Sequence, residues 1–242
     1  MQKIHCELPD APATNRKQRK PRIGMISIGQ SPRPDILSIF HDNWGDRAEM
    51  IEAGALDGVT EPEVIQMTPQ KGDDVLVIKM ADGHQHLVGR RYLIPRIQHC
   101  VDTLMIQKPT AFILLCTGDF RPFYAPVPFI IPQRIVDHTI AAFVSPGQMV
   151  GVMIPTGAQQ KQMRRKLARY GVVPVFASAS PHTGEQEITA AAYELRRHDL
   201  TLIVMHCFGY TRRMRQIVQE ILGKPTLLSN MLVAKVTGEV LL

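Results

Sequence analysis

Short apolar runs alternate with amphipathic segments along most of the 242-residue chain. Runs of about four to eight apolar residues bounded by Gly or Pro are typical of buried strands. Such runs predict strands in RIGMISIG (22–29), AFILLC (111–116), GQMVGVMI (147–154), VVPVFAS (172–178), TLIVMHC (201–207) and GKPTLLS (223–229). Two β-prone runs around Asp82-Gly83, within residues 73–93, predict a hairpin.

Apolar residues at helical spacing fill most of the segments between these strands. The predicted helices open near Pro34-Asp35, cover 92–108, 158–171 and 184–199, and end the chain from Asn230. Strands that alternate with helices predict an α/β fold with parallel sheets.

The two halves of the chain repeat one pattern, which predicts two similar α/β domains. IGMISIGQSP (23–32) matches VGVMIPTGAQ (150–159), and FILLCTGDF (112–120) matches LIVMHCFGY (202–210). In parallel sheets the ligand lies beyond the carboxyl ends of the strands. Both Gly-containing loops and both cysteines of these segments fall at such ends, so we expect them to face one cleft between the domains.

Composition and charge narrow the function classes. The net charge is +6, but residues 1–22 hold six basic and two acidic side chains, so the excess is concentrated in a tail that we expect to be solvated and disordered. We therefore predict no nucleic-acid partner. No apolar run approaches the roughly 18 residues of a membrane span, and the N-terminus lacks the apolar core of a secretory signal. Four cysteines without CxxC spacing predict reduced thiols in a cytoplasmic protein.

Cys116 and Cys207 are the residues that suggest a reaction. A thiol has a pKa near 8.5, so it can donate a proton or, as thiolate, accept one close to neutral pH. Two thiols on opposite sides of a substrate can remove a proton from one face of a carbon and return it to the other, without a metal or an organic cofactor. Backbone N–H groups of Thr117-Gly118 and Phe208-Gly209 could hold a carboxylate. The alternative is that both cysteines are small apolar core residues.

Three motifs carry a resemblance to a known family. RIGMISIGQSPRPDI, LLCTGDF and KPTLLSNMLVAKVTGEVLL resemble the AroM family, which is similar to the Asp/Glu racemase superfamily. That resemblance implies two pseudo-symmetric α/β domains of Asp/Glu racemase type around the substrate, one catalytic cysteine from each domain, and a homodimer. It also implies that the last strand and helix return to the first domain. We thus expect a tail over 1–22, a first domain over 23–146 plus 224–242, and a second over 147–223.

The sequence departs from the racemase pattern after each cysteine. The first cysteine of racemases is typically followed by Asn-Thr and the second by Thr-His or Thr-Glu, whereas here Thr117-Gly118 and Phe208-Gly209 follow. Relatives of the superfamily include maleate isomerases, arylmalonate decarboxylases and hydantoin racemases, which use one or two thiols on small carboxylates or related carbonyl compounds. The substrate and the reaction class stay open.

Loop residues near the strand ends are candidates for ligand binding. Arg33 could pair bidentately with a carboxylate, and Ser31 and Gln30 could donate hydrogen bonds from the same loop. Thr156 lies in the matching loop of the second half, where it could bind the ligand or cap the following helix.

Other polar residues have two interpretations each. Ser229 and Asn230 could face the ligand or cap the final helix. Asp119 and Arg121 could tune the Cys116 pKa or be ordinary loop charges. His206 precedes Cys207 on a strand and should point to the opposite face, so we do not expect it to act as a base.

Metal and nucleotide sites have little support in the sequence. His84 and His86 form an H-x-H on the predicted hairpin, but no further ligand stands at a familiar zinc spacing. No GxGxxG or GxxxxGK[ST] motif occurs. The basic run RRKLAR (164–169) is typical of a solvated helix face.

Two hypotheses of different classes follow. The first is a cofactor-independent racemase or isomerase that acts at the α-carbon of a small carboxylate or amino acid through Cys116 and Cys207. The second is a non-catalytic metabolite-binding or regulatory protein that uses the same cleft, linked by the family resemblance to aromatic amino-acid metabolism.

Overall fold

The computed structural model describes residues 20–242, which form ten strands and eight α-helices. The predicted basic tail lies outside the described residues except for its last three. The strands are β1 Arg22–Ser27, β2 Glu49–Gly54, β3 Val75–Lys79, β4 Gln85–Gly89, β5 Ala111–Leu114, β6 Phe129–Ile130, β7 Met149–Ile154, β8 Val173–Ser178, β9 Leu202–Met205 and β10 Thr226–Leu228. The helices are α1 Pro34–Trp44, α2 Glu61–Ile65, α3 Arg90–Met105, α4 Pro132–Phe143, α5 Gln160–Leu167, α6 Glu185–Leu195, α7 Arg212–Leu222 and α8 Ser229–Leu241.

The strands form two four-stranded parallel sheets and one hairpin. The first sheet has the order β2-β1-β5-β6 and the second the order β10-β9-β7-β8. Strands β3 and β4 pair antiparallel, with Val75 opposite Gly89. The α/β fold with parallel sheets and the hairpin are both confirmed. Elements β2, β6, α2, α4 and α7 were not predicted.

The inner strands β1 and β5 of the first sheet are covered on both faces, and their buried residues 23–26 and 111–114 are all apolar, whereas the edge strand β2 carries Glu49 and Glu52. Ile113 and Leu115 belong to the core that reaches the second sheet, whereas Phe112, Leu114 and Cys116 belong to a separate core under the hairpin. This alternation follows the period of two in a strand and sets the direction of the Cys116 side chain.

The C-terminal segment joins the two halves of the molecule. Helix α8 packs against α1 and α4, and the indole Nε1 of Trp44 donates a hydrogen bond of 2.8 Å to the carbonyl of Ala234. A Cβ atom on Gly238 would lie 2.9 Å from the Trp44 ring, so only glycine allows this close approach.

The last strand is not in the sheet that the family resemblance implied. β10 runs parallel to β9, with Thr226 opposite Ile203, and therefore belongs to the second sheet. The expected return of this strand to the first domain is wrong, because β9 has a free edge beside it that the short segment after α7 fills. Of the two C-terminal elements, β10 stays with the second sheet and α8 packs against helices of the first half. The other domain limits stay a prediction.

None of the helices in residues 20–242 is both long and apolar enough to cross a membrane.

Gly24 in β1 offers a test of the core. A Cβ atom there would lie 2.4 Å from Cδ1 of the fully buried Phe112 ring. We expect Gly24→Ala to lower the free energy of unfolding by about 1–3 kcal/mol through overpacking, measured by urea denaturation. Gly157→Ala is the matched control, because its Cβ would meet no atom closer than 3.6 Å. Equal stability of the two variants would contradict this account of the core.

Candidate active site

A cleft lies between the carboxyl ends of the two sheets and draws its walls from both halves of the chain. It measures about 920 Å³ when the part open to solvent is counted. Strand β3 and the loops after β1 and β5 line one side, and α5 and the loops after β7, β8 and β9 line the other. Both Cys116 and Cys207 face this cleft.

The two cysteines occupy equivalent positions in the two sheets. The N–H of Leu115 donates to the carbonyl of Ile26 on β1, and the N–H of His206 donates to that of Met153 on β7. Each cysteine is therefore the second residue beyond an inner strand of its sheet, β5 or β9, and the two thiols reach the cleft from opposite halves.

A short backbone contact holds each sulfur atom. The N–H of Gly118 donates to Sγ of Cys116 at 3.2 Å, and that of Gly209 donates to Sγ of Cys207 at 3.3 Å. These two N–H groups, which the sequence suggested for a substrate carboxylate, are thus directed at the sulfurs. A donor in this position stabilises a thiolate more than a thiol. Both glycines line the cleft.

Burial keeps both thiols protonated at neutral pH. It raises the pKa of Cys116 to about 12, although the Gly118 N–H and the Lys166 ammonium act in the opposite direction. Burial also raises the pKa of Cys207, against the Gly209 N–H and Arg33. The thiol pair therefore needs another charge to become reactive near pH 7.

Arg33 lines the cleft but already has a carboxylate partner. Its Nε and Nη2 donate to Oδ1 and Oδ2 of Asp35 at 2.9 and 2.8 Å, and its backbone N–H donates to Glu52. Burial raises the pKa of Asp35, but the hydrogen bond and charge of Arg33, with Lys79 and His182, lower it below its usual value. The bidentate face that we expected to bind a ligand is occupied by Asp35.

Several of the predicted binding residues support the cleft from behind instead of lining it. Ser31 donates to Asp57 at 2.6 Å, and Gln30 bonds to Val59 and Ala81. Thr156 caps the turn at residues 157–159 by accepting from the N–H of Ala158. None of Ser31, Gln30 and Thr156 is among the described residues that line the cleft.

Ser229 and Asn230 hold the loop that carries Cys207. Both are fully buried at the start of α8. The side-chain amide of Asn230 donates to the carbonyls of Phe208 and Tyr210, each at 2.8 Å, and Ser229 donates to the carbonyl of Met205 at 2.8 Å. The two residues therefore fix the backbone on both sides of Cys207 without lining the cleft.

The loop after β5 brings further predicted residues to the cleft. Thr117 is buried and donates to the carbonyl of His206 at 3.3 Å, which connects the two cysteine loops directly. Asp119 lines the cleft, and its carbonyl accepts from Arg90, whereas Arg121 is exposed and outside the lining. Arg90 and Arg165 both pair with Asp74 at the rim, at 2.9 and 3.0 Å.

A buried charged cluster, Asp137, Lys166 and His206, forms one wall of the cleft and was missed by the sequence analysis. The Lys166 ammonium lies 3.0 Å from Nε2 of His206 and 3.3 Å from Oδ1 of Asp137, and Gln133 donates to the other carboxylate oxygen. Lys166 is 5% exposed and Asp137 is fully buried. Lys166 and His206 line the cleft.

Two expectations about this cluster are wrong. His206 does not point away from the face that Cys207 uses, because β9 ends at Met205 and the alternation of a strand no longer applies beyond it. The run RRKLAR is not uniformly solvated, since Lys166 turns inward to Asp137 on α4 while its neighbours Arg164 and Arg165 remain exposed. The signal that could have found Lys166 is its position three residues after the buried Met163 on an otherwise basic helix.

The charge states in the cluster follow from its burial. Burial raises the pKa of Asp137, but His206 and Lys166 more than offset this and hold it below the usual value. Burial lowers the pKa of Lys166 against the attraction of Asp137. Burial and the Lys166 charge lower the pKa of His206 to about 4, so the imidazole is neutral and its Nε2 accepts from the ammonium.

His84 and His86 lie near Glu61, with His86 Nε2 3.4 Å from its carboxylate. Across residues 20–242, no group of three or more His, Cys, Asp or Glu side chains is placed to hold a metal ion.

A family model described as AroM protein matches residues 23–241. The chain belongs to the AroM family. This confirms the family that the three sequence motifs suggested. A comparison with curated proteins finds no match.

Solved structures of the Asp/Glu racemase type share the fold of this AroM protein. The glutamate racemase of Aquifex pyrophilus has a TM-score of 0.57 at 13% identity, over 91% of this chain and 84% of the racemase. The maleate isomerase Iso of Pseudomonas putida S16 has a TM-score of 0.61 at 12% identity, over 91% and 92% of the two chains. Unliganded arylmalonate decarboxylase has a TM-score of 0.53 at 16% identity, over 91% and 92%. The AroM chain therefore has the two-domain Asp/Glu racemase-type fold.

The raised pKa of Cys116 predicts the pH dependence of its alkylation. Since only the thiolate reacts, and the pKa is about 12, the iodoacetamide rate at Cys116 should rise about tenfold per pH unit from pH 7 to 10 without levelling off. The rate is followed by mass spectrometry of the peptide that contains Cys116, with circular dichroism as a check on folding. N-acetylcysteine is the reference, whose rate levels off above its ordinary pKa. A plateau at Cys116 below pH 9 would show that the thiol is not raised.

The amide of Asn230 should be needed for stability. Asn230→Ala leaves the buried carbonyls of Phe208 and Tyr210 without their donor, so we expect a loss of about 2–4 kcal/mol in the free energy of unfolding, measured in urea. Asn43→Ala is the comparison, because it removes a single bond to Ile39 within α1 and should cost less than about 1 kcal/mol. Similar losses in both variants would mean that the Cys207 loop is held by other contacts.

Proposed function

We propose that this AroM protein is a cofactor-independent enzyme that moves a proton at the α-carbon of a small carboxylate or amino acid. The observation that carries the proposal is the pair of thiols, Cys116 and Cys207, which face one cleft from equivalent positions in two sheets. Proteins named as racemase, isomerase and decarboxylase share the fold, which is consistent with carbon-acid chemistry but does not choose among these reactions.

In the proposed reaction the thiols act as acid and base. One cysteine, as thiolate, takes the α-proton from one face of the carbon, and the other, as thiol, returns a proton to the opposite face. The N–H groups of Gly118 and Gly209 steady whichever sulfur carries the negative charge. The transfer leaves the protein with its proton on the opposite thiol, so a second turnover runs in reverse or after exchange with solvent.

The carboxylate of the substrate is supported by the charge of the cleft. Five cationic side chains line it with two carboxylates, although Asp35 and Asp137 outside the lining offset the charges of Arg33 and Lys166. N–H donors of these cations that remain free favour an anionic ligand and the negative charge that develops at the α-carbon.

The pKa of Cys116 supports a second candidate function. At a pKa of about 12, only about one molecule in 100,000 holds this thiolate at pH 7. A protein that only binds a small anion in the same cleft needs no thiolate, so the raised pKa favours a metabolite-binding role unless the ligand or a nearby charge lowers it.

Solvent exchange distinguishes the two candidates. The protein is incubated in D₂O with a panel of amino acids, hydroxy acids and dicarboxylates, and loss of the α-proton signal is followed by NMR. We expect exchange with at least one compound, and a loss of at least about a hundredfold in Cys116→Ser and in Cys207→Ser, as is usual when an acid or base is removed.

Cys100→Ser is the matched control for these variants. Cys100 is a buried thiol on α3 outside the cleft, so its replacement should leave the exchange rate unchanged. Exchange that survives both Cys116→Ser and Cys207→Ser would contradict the thiol mechanism. Binding of a compound without any exchange would support the metabolite-binding role instead.

A further inference from the structure

Lys166 is a buried cation that neither cysteine motif explains. It is 5% exposed, lies on α5, and faces the cleft together with His206. A buried ion pair such as Lys166–Asp137 contributes little to stability, because desolvation of the two charges offsets their attraction. Apolar residues would fill the same space at least as well, so the charges indicate a use for the wall that they form.

The hydrogen bonds of Lys166 leave part of the ammonium free. An ammonium has three N–H donors. One points to Nε2 of His206 at 3.0 Å, where the neutral ring has an acceptor. Asp137 Oδ1 lies 3.3 Å away, yet within residues 20–242 that oxygen accepts no aligned hydrogen bond. At least one donor of Lys166 therefore remains for a group in the cleft.

The other cations of the cleft are more fully engaged or more exposed. Arg33 is held bidentately by Asp35, and Arg90 and Arg165 share Asp74 at the rim. Lys79 is half-buried at the end of β3. Asp119 also lines the cleft, and its negative charge raises the pKa of Lys166, which favours the charged ammonium. Lys166 combines the deepest burial with a free donor, and electrostatic attraction is strongest where water is excluded.

We propose that Lys166, positioned by Asp137 and His206, is the anion anchor of the cleft and binds an anionic oxygen of the ligand on the Cys116 side. The ligand class is thus a small oxyanion, a carboxylate above all, whose charged end contacts Lys166 and not Arg33. This rests on the proposed function only in taking the cleft as the ligand site. It holds equally for an enzyme and for a metabolite-binding protein.

Two alkylating reagents of nearly equal size test the anchor. Iodoacetate carries a carboxylate and iodoacetamide a neutral amide, and both alkylate a thiolate by displacement of iodide. The quantity compared is the rate constant of iodoacetate at Cys116 divided by that of iodoacetamide. The thiolate fraction cancels in this ratio, because it affects both reagents equally. In Lys166→Met we expect this ratio to fall about tenfold from the wild-type value, since only the anionic reagent loses its partner.

Matched variants define the outcome. Lys161→Met changes an exposed lysine on the same helix and should leave the ratio unchanged. Lys79→Met removes another cation of the same cleft and should have the smaller effect. A ratio that is unchanged in Lys166→Met, or that falls only in Lys79→Met, overturns the proposal. Equal slowing of both reagents would also overturn it, because Lys166 would then act on the thiolate and not on the ligand.

A second measurement does not depend on thiol access. At constant ionic strength, malonate should raise the melting temperature of the wild type and of Lys161→Met, but not of Lys166→Met, and neutral malonamide should raise none of them. If Lys166→Met fails to fold, Lys166→Met with Asp137→Asn removes both charges and is used in its place. Equal stabilisation by malonate with and without Lys166 overturns the anchor.

The experiments can contradict the role of Lys166 and the proposed reaction independently of each other. Solvent exchange that persists at the wild-type rate in Lys166→Met would leave the thiol chemistry standing without the anchor. Malonate binding that depends on Lys166, in a protein that exchanges no α-proton, would leave the anchor standing in a metabolite-binding protein.

Discussion

The exclusion of water from the ends of β5 and β9 determines the properties of the cleft. The two sheets meet there across apolar side chains, so the groups that line this region lose most of their hydration. The same loss raises the pKa of both thiols and lowers the pKa of His206, so that its imidazole is neutral. It also opposes the negative charge of Asp137, which His206 and Lys166 stabilise. A low local dielectric strengthens every charge interaction in the wall. The chemistry of the site is therefore a consequence of how the two halves close on each other.

The parts of this arrangement that the sequence revealed are those with a local pattern. The apolar runs that end at Cys116 and Cys207 predicted both strands and both thiols, because a buried parallel strand and its carboxyl end are written in consecutive residues. The hairpin at 75–89 was predictable for the same reason. Arg33 also carries a local signal: its partner Asp35 stands two positions later, a pairing that should have reduced the expectation of a free guanidinium.

The charged wall has no such pattern. Asp137, Lys166 and His206 come from α4, α5 and the end of β9, and their contact depends on how three segments far apart in the chain pack together. Helix α4 begins with Pro132 and contains several β-branched residues, which weaken its helical signal. The position of β10 beside β9 has no local signal either, and the family resemblance implied the first domain instead. A strand of three residues is too short for its sequence to indicate which sheet it joins.

The bond between Trp44 and Ala234 joins residues 190 positions apart. Helices α1 and α4 of the first half keep apolar surface uncovered until α8 docks on them, and α8 is the last helix of the described chain. The core of the first half is therefore complete only when α8 is in place. Contacts of such long range slow folding and extend the time during which apolar surface is open to other chains.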